Sequence, residues 1–217
     1  MSIERARGIV LRTRPLTDTS LIVQWLTPDL GRIATVAKGA RGAKSSFRGQ
    51  LDLFYTCDFS FVRSKRSDLH TLREAKAIET HPDLRRDIAY VQQASYCAAL
   101  IEKSTEPETP LTKIYEDFAG QLKELPAHPP KPQTVFAFEM KLLEELGLAP
   151  DLTEANLTPG AKQLLKIFTQ ADWPSIFRVK PSMPQTKELN AFLNGFLIYH
   201  LDRIPSGRAT ATSESYQ

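Results

Sequence analysis

The spacing of apolar residues changes once along the chain, near residue 80, and this change is the strongest constraint on the fold. Before it, "LDLFYTCDFSFV" (residues 51–62) alternates apolar and polar positions, the period of a half-buried β-strand. After it, apolar residues recur at the three- to four-residue spacing of amphipathic helices. The sequence therefore predicts an α+β protein in which strands come first and helices second.

Five strand-like segments are predicted in the first domain, residues 1–80. They are separated by turn signals such as "PLTDT", "PDLG" and "RSKRSD". A sheet of five short strands exposes its edges unless it closes on itself, so we predict a small five-stranded barrel. The predicted strands are residues 5–11, 21–27, 32–37, 51–62 and 69–75.

A helical domain is predicted for residues 81–204. Pro82 suits a first helical turn, and Gly147 suits the end of a later helix. The proline-rich stretch "PAHPPKP" (residues 126–132) predicts a stiff connector between two helices. Beyond Pro205 we expect a mobile tail, residues 205–217. The helical patterns fall at residues 84–101, 111–125, 135–147, 159–168 and 187–201.

The basic residues concentrate in the first domain. Residues 1–80 hold 14 Lys or Arg and 8 Asp or Glu, whereas residues 81–217 hold 14 and 17. The stretch "GRIATVAKGARGAKSSFRGQ" (residues 31–50) contains no acid at all. This asymmetry predicts that the first domain carries a surface for a polyanion, although most runs of like charge are solvated surface.

The candidate phosphate contacts follow from this acid-free stretch. Glycines at Gly39 and Gly42 allow tight turns that bring backbone amides near phosphate oxygens. A basic loop beside a barrel's curved, strand-lined face predicts sequence-tolerant binding of single-stranded nucleic acid. The cations of the stretch are Arg32, Lys38, Arg41, Lys44 and Arg48.

Two further features of the first domain have two interpretations each. Phe47 either stacks on a base or packs the loop onto the barrel. Arg63, Lys65 and Arg66 lie at the turn between the last two strands, where they either extend the basic track or form a solvated hairpin tip. In the helical domain, Arg85 and Arg86 read as surface charges partnered by nearby aspartates.

No motif indicates catalysis, a metal or a nucleotide cofactor. The sequence has no CxxC, HExxH, GxSxG or GxxxxGK[ST], and its histidines are scattered. We therefore expect no enzyme activity and no cofactor. Cys57 and Cys97 read as buried reduced thiols. The absence of a signal-peptide pattern and of a long apolar run predicts a cytoplasmic protein.

The order of several motifs resembles the bacterial RecO recombination mediators. "RGIVLRTRPLTDTSLIVQWLTPDLGRIATVAKGAR" resembles the family's opening, and "FRGQLDLFY" with "DLHTLREA" its fourth and fifth strands. "LEELGLAPDL" resembles the end of a central helix, and "FLIYHLDRIPSGR" a C-terminal signature that falls here on His200 and Leu201. The resemblance covers nearly the whole chain.

This resemblance implies an N-terminal OB-fold barrel on a helical domain, and a function in DNA repair and recombination without an active site. Such proteins bind single- and double-stranded DNA and anneal complementary strands. They act with RecR, and often RecF, to load RecA onto DNA coated by single-stranded DNA-binding protein. The resemblance maps the family's basic surface onto Lys38 and Arg41, followed by Lys44 and Arg48, and implies a cytoplasmic, nucleoid-associated location.

One departure from the family concerns zinc. Many relatives carry a four-cysteine module after the segment matching "LGLAPDL", whereas this chain continues through "TEANLTPGAKQLL" without a cysteine. We expect no zinc. The acidic tail of the DNA-binding protein is expected to dock on the helical domain, with Lys103, Lys113 and Lys141 as places to look. An RNA-binding OB-fold module and a protein adaptor that binds no DNA remain alternative functions.

Overall fold

The computed structural model of the protein describes residues 3–213. The chain forms two compact units. The barrel unit comprises Met1–Pro82 and Thr105–Glu116, and the helical unit comprises Asp83–Ser104 and Asp117–Gln217. No helix in the described part of the chain is both long enough and apolar enough to cross a membrane.

The barrel unit contains five strands that close into a barrel in the order β1-β2-β3-β5-β4. All pairings are antiparallel except that of β3 with β5, in which Ala34 faces Leu69 and Val36 faces Thr71. This closed strand order is that of the OB-fold. The predicted α+β class with a five-stranded OB-fold barrel is therefore confirmed. The strands are β1 Ile3–Pro15, β2 Leu21–Thr27, β3 Gly31–Ala37, β4 Thr56–Val62 and β5 Leu69–Glu79.

Aromatic side chains fill the barrel interior. The rings of Trp25 and Phe59 stack with centroids 4.1 Å apart, and both residues are buried. The indole Nε1 of Trp25 donates a 2.8 Å hydrogen bond to the hydroxyl of Thr35, which is also buried. The one polar atom of the indole is thereby satisfied, so a large ring can occupy the core without loss of a hydrogen bond.

The fourth strand is shorter than the sequence predicts. Residues 51–55 form a turn instead of extending the strand, and Phe54 within it has a φ of 66° and a buried side chain. Within β4 the inward side is as predicted, because Cys57, Phe59 and Phe61 lie in the core; on the other side Asp58 is exposed but Ser60 is buried. Burial of Phe54 in a turn breaks the period, because its side chain reaches the core from a loop conformation.

The helical unit follows a short 3-10 helix at Pro82–Arg86. Every residue of α3 from Pro132 to Leu143 is buried, so α3 is the central helix of this unit. Thr158 caps α4 and Ser182 caps α6, each accepting a hydrogen bond from a backbone amide three residues on. The helices are α1 Ile88–Ser104, α2 Thr112–Glu124, α3 Pro132–Glu145, α4 Pro159–Gln170, α5 Trp173–Arg178, α6 Met183–Leu201 and α7 Arg208–Ala211.

The sequence did not predict α5 or α7, and the prediction of a mobile tail from residue 205 is wrong for residues 205–213. Arg208 is buried, and its guanidinium contacts the carboxylate of Glu139 on α3 at 2.7 and 2.9 Å. The backbone carbonyl of Ala211 accepts a 3.1 Å hydrogen bond from Gln93. These contacts order a segment whose composition resembles a linker. Residues 214–217 of the predicted tail lie outside the described residues.

Residues 105–116 differ from the predicted domain division, because they group with the barrel. The backbone amide of Glu108 donates to the carbonyl of Arg32 at 2.9 Å, and that of Leu111 donates to Pro28 at 3.1 Å. Gly31 has a φ of 65°, and a Cβ built on it would lie 1.7 Å from the carbonyl oxygen of Thr109. Only a glycine allows this close approach.

Candidate nucleic-acid interface

The basic loop, residues 38–50, is the first part of the connection from β3 to β4 and contains a series of tight turns. Backbone amides of Gly42, Ser45 and Arg48 each donate to the carbonyl three residues earlier, at 3.0 to 3.2 Å. The loop therefore has a defined, hydrogen-bonded backbone structure. Its four cations are all exposed: Lys38, Arg41, Lys44 and Arg48.

The C-terminal half of the basic loop is fixed to the barrel. The Gln50 side chain accepts a hydrogen bond from the backbone amide of Ala77 on β5 at 2.8 Å. The Gln50 carbonyl accepts from the thiol of Cys57 at 3.3 Å. Burial, reinforced by the charge of Asp58, raises the pKa of the Cys57 thiol to about 12, so this buried group stays a protonated donor. These contacts fix the cationic side chains on a rigid base.

Arg41 links the basic loop to the β1–β2 turn. Its backbone amide donates to the carbonyl of Thr19 at 3.0 Å, and its guanidinium Nη1 donates to the carbonyl of Thr17 at 2.9 Å. Part of the guanidinium stays exposed beside these bonds. Arg41 thus positions the loop in addition to contributing charge.

The cations of the basic loop have no acidic partners. Among residues 3–213, no carboxylate oxygen lies within ion-pair distance of Lys38, Arg41, Lys44 or Arg48. The positive charge of this loop is therefore not neutralised internally. Phosphate oxygens are suitable partners for such cations, because each contact releases a condensed counterion.

Phe47 does not have the exposure that base stacking requires. It retains 8 % of its accessible surface and belongs to the core cluster that contains Trp25 and Phe59. Of the two interpretations of Phe47, packing of the loop onto the barrel is the one that fits the structure. Burial of the ring is favourable by the hydrophobic effect, and this gain is lost if the ring swings out to meet a base.

Arg32 and Arg63 are occupied by other contacts. Arg32 donates to the hydroxyl of Thr105 at 2.7 Å and to the Thr105 carbonyl. Arg63 donates to Glu4 at 2.8 and 3.0 Å and also contacts Glu108. The structure therefore does not bring these two arginines together with the basic loop, and both hold the barrel unit together instead.

The second basic group lies on a different turn from the basic loop, and the two segments adjoin different parts of β1. The turn at residues 63–68 follows Val62, which pairs with Ile3 at the start of β1. The basic loop follows Ala37, which pairs with Leu21 near the end of β1. Lys65 and Arg66 are exposed. Val62, which precedes their turn, and Val36, near the start of the basic loop, both pair with Thr71, so the extension of the basic track through this turn stays a prediction.

Only part of the curved barrel face that the sequence predicts is accessible to a nucleic acid. The alternation of β2 directs Ile22 and Leu26 away from the core residues Val23 and Trp25, yet both are buried, as is Ile9, which pairs with Leu26. The outward side of β2 is therefore largely buried, with the half-buried Gln24 as its polar residue. The accessible charge of this unit lies on loops and on other strands.

Six exposed cations on the described strands are not among the predicted site residues, and three of them are Arg7, Arg12 and Arg14 on β1. Arg5 is on β1, and Arg73 and Lys76 are on β5. The signal available was the alternation of each strand, which places Arg5 opposite the core-facing Ala6 and Lys76 between Ala75 and Ala77. Cations spaced along strands do not form a run of charge in the sequence, so charge runs alone do not indicate them.

The structure corrects two of the three docking residues expected on the helical unit. Lys103 is exposed on that unit, whereas Lys113 groups with the barrel unit. Lys141 is buried and lies 3.7 Å from Asp117 and 5.9 Å from the ring centroid of Trp173. Lys141 is therefore unsuited to a surface contact. Arg86 forms the expected ion pair with Asp83, at 2.9 Å. Within residues 3–213, no three His, Cys, Asp or Glu side chains come together as a metal site.

The strand order and the basic loop define an OB-fold protein with a group of four exposed, unpaired cations on one connecting loop. Comparison with protein families gives two matches, which together cover most of the chain. Residues 1–81 match the family model described as Recombination protein O N terminal, and residues 85–156 match Recombination protein O C terminal.

Individual relatives agree with these matches. The chain is 32% identical over 207 residues to the DNA repair protein RecO of Listeria monocytogenes serotype 4b, covering 93% of this chain and 80% of that protein. It is 31% identical over 150 residues to the DNA repair protein RecO of Bacillus subtilis, covering 69% of this chain and 58% of that protein. The chain belongs to the RecO family of DNA repair and recombination proteins.

Proposed function

We propose that this protein binds single- and double-stranded DNA through the basic loop, anneals complementary strands, and helps load RecA onto DNA coated by single-stranded DNA-binding protein. The observation that carries the proposal is the set of four exposed cations without acidic partners on a loop fixed to the barrel. The protein's membership of the RecO family supports a DNA substrate. A DNA substrate implies a cytoplasmic, nucleoid-associated location.

The geometry favours contact with phosphates over contact with bases. Phe47 is the only aromatic residue between Lys38 and Gln50, and it is buried. Phosphate contacts position a strand and leave its base edges free, whereas stacking holds the bases themselves. A loop that grips only the backbone offsets the repulsion between two polyanions while both strands stay able to pair, which annealing requires. No catalytic group takes part in this mechanism.

The partners proposed for this activity are RecR, RecF in some systems, and the C-terminal tail of the single-stranded DNA-binding protein. The acidic tail is proposed to dock on the helical unit, where Lys103 is exposed. Capture of the tail would raise the local concentration of the basic loop near coated DNA. This division of labour assigns DNA to the barrel unit and the tail to the helical unit.

The test is annealing of complementary oligonucleotides by the purified full chain. The variant is Lys38→Glu with Lys44→Glu, because Arg41 also holds the loop in place. The matched control is Lys123→Glu with Lys166→Glu, which reverses two exposed lysines of the helical unit. We expect the loop variant to lose at least about tenfold in DNA affinity and annealing rate and to retain tail binding, and the control to anneal normally. Equal annealing by both variants would overturn the proposal.

Salt dependence gives an independent measurement. If the four loop cations each neutralise one phosphate, log affinity for a single strand falls with log salt with a slope of about −3. The Lys38→Glu, Lys44→Glu variant should show a slope nearer to −1. Much tighter binding of structured RNA than of DNA would indicate an RNA-binding module. Absence of DNA binding by the wild-type protein in dilute buffer would indicate a protein adaptor.

A further inference from the structure

A second polar surface lies on the outward side of β1, β4 and β5. The strand register sets out two rows across it. Arg5 faces Ser60, which faces Glu74, and the next row contains Arg7, Asp58 and Lys76. A groove of about 840 Å³ follows these rows and adjoins one of about 520 Å³ that reaches Ile3, Val62 and Arg73. We call the two together the strand groove.

The strand groove contains exposed cations that form no ion pair. In the described part of the chain, Arg5, Arg73 and Lys76 have no ion-pair partner, and all three are exposed. Asp58, by contrast, is neutralised by Arg7, whose Nε and Nη2 donate to its two oxygens at 2.9 and 3.2 Å. These hydrogen bonds, more than the charge itself, lower the pKa of the Asp58 carboxyl.

The excess of positive charge continues beyond the groove. The turn at residues 63–68 begins directly after Val62, at the end of the groove. It contributes two exposed cations, Lys65 and Arg66, and one exposed acid, Asp68. The unpaired acids that line the groove are Glu74 and Asp29. Ser60 donates a 3.4 Å hydrogen bond to the Glu74 carboxylate, which partly satisfies that charge. The whole surface therefore has an excess of cations available for an external anion.

We propose that the strand groove binds the sugar–phosphate backbone of a second nucleic-acid strand. This inference rests on the proposed annealing function, because annealing requires two polyanions to be held on one protein. The residues that line the strand groove belong to β1, β4, β5 and Asp29, and none of them belongs to the basic loop. The loop and the groove are therefore separate surfaces, each able to hold a strand. The exposed Ile3 adds an apolar contact suited to a sugar or base.

The test uses two non-complementary oligonucleotides, one carrying a donor dye and one an acceptor, with the full chain at substoichiometric to equimolar concentration. The variant is Arg5→Glu with Arg73→Glu, and the matched control is again Lys123→Glu with Lys166→Glu. Both pairs are exposed, and circular dichroism with thermal melting checks that each variant is folded. Fluorescence anisotropy measures the affinity for one labelled oligonucleotide separately.

We expect the wild type and the control to bring the dyes together, and Arg5→Glu, Arg73→Glu to lose this signal. Its affinity for a single oligonucleotide should change less than about threefold, while its annealing rate should fall about tenfold. Normal bridging and annealing by this variant would overturn the inference and leave the proposed function intact. Loss of binding to a protein partner, with annealing unchanged, would assign the groove to a protein and also overturn it. Failure of the wild type to bind any oligonucleotide would instead end the proposed function.

Discussion

The guanidinium of Arg208 forms two hydrogen bonds with the carboxylate of Glu139, at 2.7 and 2.9 Å, across 69 residues of sequence. The Tyr96 hydroxyl donates to the same carboxylate at 2.7 Å, and Asn190 accepts from Arg208 at 2.7 Å. Burial opposes the charge of Arg208, but the hydrogen bonds and charge of Glu139 outweigh it and raise the pKa of the guanidinium. This network anchors α7 to the helical unit.

Loss of Arg208 should strongly destabilise the helical unit. Arg208→Ala leaves the Glu139 carboxylate buried without its cation, which costs about 3–5 kcal/mol for a pair of this kind. Urea unfolding followed by circular dichroism measures this cost. Arg203→Ala, five residues earlier and exposed, is the control and should change stability by less than about 0.5 kcal/mol. Similar losses in both variants would show that the Arg208–Glu139 pair contributes little.

Phe47 should matter for stability rather than for base contact. Phe47→Ala removes a buried ring from the barrel core and is expected to cost about 3–5 kcal/mol. Phe47→Leu, which retains apolar volume, should keep both most of the stability and the DNA affinity of the wild type. Thermal melting and fluorescence anisotropy separate the two effects. A large loss of affinity in a stable Phe47→Leu variant would support base stacking.

Gly31 should tolerate no side chain, and Gly39 provides the matched comparison. Both have positive φ, 65° and 71°, so alanine at either position carries a backbone cost of about 1–3 kcal/mol. Only at Gly31 does the new Cβ also collide with Thr109, whereas Gly39 has open space around it. Denaturant unfolding should therefore show a larger loss for Gly31→Ala than for Gly39→Ala. Equal losses would mean that residues 105–116 move away from β3 at little cost.

The Glu4–Arg63 ion pair should make the barrel unit sensitive to acid. The hydrogen bonds from Arg63 lower the pKa of the Glu4 carboxyl below 4.5, against the opposing effect of burial. A carboxyl with a lowered pKa in the folded state stabilises the fold above its unfolded pKa and loses this contribution as pH falls through the folded value. Glu4→Gln should therefore reduce the loss of stability between about pH 5 and pH 3. Melting temperatures over this range measure it, with the exposed Glu145→Gln as a control that should leave the profile unchanged.

Much of the architecture could be predicted because it depends on local patterns. Period-two alternation located all five strands, and apolar spacing located the long helices such as α1 and α6. The helix α5 was missed because six residues, Trp173–Arg178, are too few to show a helical period. The helix α7 was missed because "SGRATATSESYQ" contains almost no apolar residues, and its order comes from Arg208 contacting a residue far away in sequence.

The candidate site was predicted in part, for a related reason. Lys38, Arg41, Lys44 and Arg48 follow each other along one loop, so their proximity is encoded locally. Arg32 and Arg63 carry the same charge in the sequence, but their acceptors, Thr105, Glu4 and Glu108, come from distant segments. Composition does not distinguish an arginine that is free from one that is already paired.

The sequence by itself determined the order of strands and helices, the concentration of positive charge in the first 80 residues, and the membership of a family. Tertiary structure alone decided which cations stay free, that Phe47 turns inward, and that the two basic groups adjoin different parts of β1. The physical reason is that periodicity and charge density are properties of neighbouring residues. Burial, ion pairing and the separation of surfaces depend on which distant segments the closed barrel brings together.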